Sequence, residues 1–150
     1  MTSPTINTGD VSWMLVSTAL VMLMTPGLAL FYAGLVKRRN VMNTLMMSMI
    51  SLGIVSILWA LIGYSLSFAP GNGFIGGLDY LGLQGVTQAP LDESTIPHQL
   101  FMVFQMMFAI ITPALISGAV VGRMKFTTYT VFIGVWSLAV YAPLCHWVWG

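Results

Sequence analysis

Apolar residues run in four long blocks along this chain, separated by two short basic turns and one long polar connection. The blocks cover about residues 11–36, 41–69, 98–122 and 126–147. An α-helix rises ~1.5 Å per residue, so ~20 apolar residues cross a hydrocarbon core of ~30 Å, and each block is long enough. The pattern predicts an all-α integral membrane fold with four transmembrane helices. The connection, residues 70–97, is rich in glycine and holds Asp79, Asp92 and Glu93. It is too short for a substantial core of its own and is expected to form a packed extramembrane loop. Pro26-Gly27 falls inside the first block, where proline removes a backbone hydrogen bond and kinks the helix while neighbouring helices satisfy the freed carbonyl. Ile96-Pro97-His98 opens the third block, a position where proline is tolerated because the first amides of a helix lack partners.

The third block with the basic turn that follows it, HQLFMVFQMMFAIITPALISGAVVGRMK, carries the most chemistry. Phe104 and Phe108 stand four residues apart and share a helix face, with Gln105 beside them. Ala114, Gly118 and Gly122 repeat at the same interval and form a small-residue stripe suited to close helix contact in lipid. From spacing alone the phenylalanines read as packing or lipid-facing residues more readily than as a site. In the second block, Ser56, Ala60, Gly63 and Ser67 supply similar small positions, while Trp59 and Tyr64 fit either packing or the interface. The run His146-Trp147-Val148-Trp149 ends the fourth block as an interfacial aromatic belt would.

Composition excludes a soluble domain. Of 150 residues, 57% are hydrophobic and 6% charged, with a mean hydropathy of +0.89; soluble domains carry roughly a quarter charged residues. The net charge of +1 gives no basis for nucleic-acid binding. The single cysteine, Cys145, forms no disulfide framework and has no metal-ligand spacing around it. The twelve methionines read as adaptable packing residues rather than a soft-metal path. The tail MTSPTINTGD lacks a basic segment, so the first block is not expected to be a cleaved signal peptide.

The charges orient the helices. Lys37, Arg38 and Arg39 follow the first block, and Arg123 and Lys125 follow the third; Asp10, Asp79, Asp92 and Glu93 all fall on the other side. The positive-inside rule makes the basic turns cytoplasmic and the N-terminus external. No acidic or basic side chain falls within a block, so these residues alone build no buried charge relay. His98 and His146 sit at the outer ends of blocks, where a histidine is more often a hydrogen-bonded structural residue than a base. No nucleophilic triad, P-loop or dinucleotide fingerprint is present. Neither an enzyme active site nor a cofactor is expected. An aromatic mouth over an apolar bundle suits a small cationic permeant, because a cation over an aromatic face gains roughly 0.5–1 kcal/mol when exposed and ~2 when desolvated.

The stretches TPGLALFYAGLVKRRNV, GLDYL, TIPHQLFMVFQMMFAIITPALISGAVVGRMKF and APLCHWVWG resemble the ammonium transporter family that includes the Amt, Mep and Rh proteins, in order and in spacing. The resemblance implies a cell-membrane protein, a homotrimer of protomers with about eleven helices arranged as an inverted repeat, and a cytoplasmic regulatory protein as a further partner. It implies that Phe108 and Trp149 are aromatic walls of an external ammonium site, with Phe104 lining the same vestibule. Phe108 would also be one ring of a phenyl gate, Gln105 would orient water or a backbone group, and Phe31 and Tyr32 would stand near the conduction path. Ala33 occupies a place where many members have glycine.

The chain resembles only the first four helices of that fold and is expected to be a non-conducting N-terminal portion. The family's twin pore histidines, recruitment-site serine and important aspartate have no counterpart here, and His98 and His146 do not take those roles. An ammonium sensor sharing the same pore and a membrane assembly or regulatory subunit are the competing readings. A quinone- or lipid-processing membrane enzyme is weaker, since acid and base groups are lacking.

Overall fold

A computed structural model describes residues 5–91 and 94–150. Met1–Pro4, Asp92 and Glu93 lie outside the described residues, and with them the assignment of those two acids to one membrane side. Four apolar helices long enough to cross a membrane make up the fold: α1 Thr8–Leu35, α2 Arg38–Phe68, α3 His98–Val120 and α4 Phe126–Trp149. Helices satisfy their own backbone polar groups, which is why apolar blocks of this length take that form in lipid.

The α1 helix begins on Asn7, whose side chain accepts from the Gly9 amide at 2.8 Å, and it continues through Pro26 to Leu35. Two of the helices are not regular throughout. A π-turn at Trp59–Gly63 interrupts α2, and another at Ser137–Tyr141 interrupts α4. The two turns face each other, with the Trp59 and Tyr141 rings 6.0 Å apart. Gly63 leaves room for the Trp59 ring of its own turn, to which a Cβ would come within 3.1 Å, and Leu138 of α4 packs beside it. Such widened turns have no marker in the residue pattern and often accompany functional regions.

The α3 helix is central. Half of its apolar window is buried, against 11% for α1, whose outward face of Trp13, Leu20, Leu23 and Leu30 stays exposed. Around α3 the core joins Val55, Trp59 and Tyr64 from α2 to Met102, Met107 and Ile110, with Tyr141 and Cys145 from α4. A second, smaller cluster of Met47, Tyr129 and Ile133 lies towards the basic turns. Two polar contacts inside the bundle tie helices together: Ser48 and Ser117 share a 2.9 Å hydrogen bond, and the Tyr129 hydroxyl donates to the Pro113 carbonyl at 3.1 Å.

The small-residue stripe expected on α3 is shorter than its spacing suggests. Ala114 is fully buried and Gly118 lies under the Tyr32 ring, where a Cβ would approach Cζ to 2.6 Å. Gly122 does not belong to it. The helix ends at Val120, and Gly122 sits in the following turn with φ +70, a left-handed conformation that glycine adopts without steric cost. That turn lies against Asn40, so the two basic turns are neighbours at one end of the bundle.

At the other end the polar connection folds back on the helices. It contains a 3₁₀ turn at Leu81–Leu83 and two isolated bridges, Gly71 to Gly76 and Pro90 to Pro97. The Tyr64 hydroxyl meets His98 Nε2 at 2.6 Å, with both residues buried, and Tyr80 sets its ring edge-on to the imidazole at 5.1 Å. Asp10 accepts a hydrogen bond from Thr95, and the Asn7 amide donates to the Thr95 carbonyl at 2.9 Å, so the start of α1 is tied to the same connection.

Candidate functional site

The α3 helix turns two unlike faces to its surroundings. Met102, Ala109, Ile110, Pro113 and Ser117 are buried against the neighbouring helices. On the opposite side Phe101, Phe104, Phe108, Thr112 and Leu115 follow one another at intervals of three or four and are only half-buried, or exposed in the case of Leu115. Phe104 and Phe108 form an edge-to-face pair on this open side, with centroids 5.2 Å apart and planes at 72°. Gln105 stands half-buried at its border. Above the pair, Phe101 packs edge-on against Phe68 of α2 at 5.2 Å. Thr112 turns its hydroxyl back to the Phe108 carbonyl at 2.7 Å, leaving its methyl on the open face.

The candidate residues do not all converge. Tyr32 reaches the same face of α3, but lower down: its hydroxyl donates to the Leu115 carbonyl at 3.2 Å. Leu115 is seven residues beyond Phe108, so Tyr32 lies about 10 Å further along the helix axis. Phe31 leans on Tyr32 at 5.8 Å and is 62% exposed. Trp149 occupies the last turn of α4 and is 58% exposed. Among the described residues no ring contact joins it to Phe104 or Phe108, and that last turn packs mainly on the end of α2.

One residue of this region escaped the sequence reading. Tyr141 is buried inside the α4 π-turn, beside Thr112. Its hydroxyl is buried with no hydrogen-bond partner among the described residues. It places a buried hydroxyl beside Thr112, within a turn of Phe108, in an otherwise apolar wall. Only the helix pairing brings Tyr141 there. Among the described residues no three His, Cys, Asp or Glu side chains gather as a metal site.

Four apolar helices with an aromatic face on one of them, and all described charge at the two ends, describe a polytopic membrane protein. Comparison with known proteins narrows this. The sequence pattern of the Ammonium Transporter Family matches residues 12–150. The chain belongs to that family. It is 56% identical over 143 residues to an ammonium transporter of Bacillus subtilis, covering 95% of this chain and 35% of the relative. To a putative ammonium transporter of Methanothermobacter thermautotrophicus it is 54% identical over 148 residues, covering 97% and 36%. The crystal structure of Candida albicans Mep2 superposes with a TM-score of 0.88 at 32% identity, over 97% of this chain and 32% of Mep2. The chain thus spans about a third of the length of the curated relatives it matches.

Proposed function

We propose that this chain supplies the first four spans of a transporter that moves ammonium or ammonia across the cell membrane, and that it is not an enzyme. The observation that carries the reading is the open face of α3, where Phe104 and Phe108 pair edge-to-face opposite the buried side of the helix. In a member of this family, that face is the wall of the conduction path. Ammonium is held at the outer mouth by cation–π contact with Phe108 and Trp149, lined by Phe104, at roughly 2 kcal/mol or more once desolvated. Phe108 also gates entry, Gln105 orients water or a backbone group, and Phe31 and Tyr32 stand near the inner part of the path. Carrying a bare ion through an apolar lumen is very costly, so the ion gives up its proton and neutral ammonia passes.

On this reading residues 70–97 and the N-terminus are external and the basic turns cytoplasmic, where a regulatory protein binds. The complete protomer has about eleven helices in an inverted repeat and forms a homotrimer. The 95–97% of this chain that aligns with relatives three times its length supports the view that it works as part of a longer polypeptide.

The test is transport by the complete transporter in liposomes at matched protein levels, with methylammonium and potassium as competitors. Phe108→Ala should lower ammonium selectivity and alter rate most, because it removes a ring and opens the gate. Trp149→Leu keeps apolar bulk but removes the indole quadrupole, and should weaken apparent affinity roughly tenfold. Unchanged affinity, selectivity and rate in both variants would reduce these aromatics to packing. The 150-residue chain alone should give no flux above empty liposomes; saturable flux would show that later helices are dispensable.

A further inference from the structure

His146 stands three residues before Trp149, and both of its ring nitrogens face backbone carbonyls. Nδ1 lies 2.9 Å from the Ser67 oxygen and Nε2 3.0 Å from the Asn72 oxygen. Ser67 belongs to the last turn of α2, whose final carbonyls lack intrahelical partners, and Asn72 opens a glycine-rich hairpin. A neutral imidazole has one N–H, so only the doubly protonated ring donates to both oxygens. Next to it, Trp147 Nε1 donates to the Phe74 carbonyl at 2.8 Å, and the Phe74 and Trp147 rings lie 5.3 Å apart.

The hairpin on the receiving side is a firm anchor. The Asn72 side chain accepts the amides of Phe74 and Ile75, each at 2.9 Å, and the Gly76 amide donates to the Leu66 carbonyl at 2.8 Å. Gly150 packs over the same spot, where a Cβ would collide with His146 Nδ1 and the Ser67 carbonyl. Trp149 shares in none of these contacts.

We propose that His146 is a positioning residue for ammonium recognition: its Nε2–H bond to the Asn72 carbonyl latches the last turn of α4 to the hairpin and so aims the Trp149 indole. The proposal rests on the reading that Trp149 faces the ion. The latch gives the 70–77 segment a part in substrate affinity although none of its side chains is aromatic except Phe74.

The experiment measures methylammonium uptake by the complete transporter in liposomes, together with amide hydrogen exchange across residues 70–77. His146→Ala should raise KM roughly five- to tenfold with the maximal rate held within about twofold, and should speed exchange in the hairpin. His146→Gln, whose amide nitrogen can take the place of Nε2, should restore both. His146→Asn, whose amide nitrogen takes the place of Nδ1, should behave like His146→Ala. Parental KM or parental exchange in His146→Ala overturns the latch, as does a uniform loss of rate in all three variants. Trp149→Leu should raise KM, and adding His146→Ala should raise it no further. Additive effects overturn the positioning role while leaving aromatic recognition intact; a parental KM in Trp149→Leu overturns the recognition reading and the aiming with it.

Discussion

At the end of the bundle with the polar connection, side chains reach into backbone. His146 faces the carbonyls of Ser67 and Asn72, Trp147 donates to Phe74, and Ser65 donates to the Gly77 carbonyl at 2.9 Å. At the basic end the turns are short and the helices meet through small residues: Gly118 under Tyr32, Ser48 against Ser117, Gly122 against Asn40. The difference follows from chain length. A long connection brings many peptide groups that no helix satisfies, and where it is packed down each needs a partner. A turn of a few residues has few such groups, satisfies several of them locally, and asks only that the helices approach closely. The two ends should therefore fail in different ways.

Substitutions that remove space should show the contrast most strongly. At the connection end, a Cβ on Gly76 would lie 2.6 Å from the Ser65 carbonyl and 2.8 Å from that of Leu66, fixed backbone that cannot yield. Gly76→Val is expected to cost on the order of 4 kcal/mol, read as loss of folded, monodisperse complete transporter after detergent extraction. At the basic end the obstacle to Gly118→Ala is the Tyr32 ring, which can swing aside, and the cost should be about 1–3 kcal/mol. Equal thermal stability of the two variants would erase the proposed asymmetry.

Hydrogen-bond deletions should give smaller effects in the same direction. Tyr64→Phe removes the buried 2.6 Å hydrogen bond to His98 and should cost about 1–3 kcal/mol. Ser117→Ala, which removes the bond to Ser48, should cost only about 0.6–1 kcal/mol, since helix–helix hydrogen bonds in membranes contribute little on average. Thermal shifts of the complete transporter decide it; a larger loss in Ser117→Ala would mean that the basic end is the more tightly held. The smallest perturbation tests sidedness. Ser94→Cys should react with an impermeant maleimide applied to intact cells while Arg39→Cys stays protected, and the reverse result would invert the orientation.

Much of the architecture was legible in the residues. The four blocks became four apolar helices because, at this length and hydropathy, no other structure satisfies the backbone in lipid. The separation of Lys37, Arg38, Arg39, Arg123 and Lys125 from Asp10 and Asp79 was equally plain. That Phe104 and Phe108 share a helix face followed from their spacing of four; the edge-to-face angle of their rings came from the structure. Gly122 misled: its spacing matched Ala114 and Gly118, but nothing local showed that the helix stops at Val120 and turns on that glycine.

The sequence by itself determined what is local or one-dimensional: helix number, which ends carry charge, and which side chains share a helix face. Those follow from the 3.6-residue period and from the cost of exposing polar groups to hydrocarbon. Tertiary structure alone decided the rest. It matched the π-turn of α2 to that of α4, buried the Tyr141 hydroxyl beside Thr112, paired Tyr64 with His98, and seated His146 on two carbonyls more than seventy residues away. Such contacts depend on how helices rotate and cross, and that is fixed by the summed packing of the whole bundle rather than by any residue's neighbours in sequence.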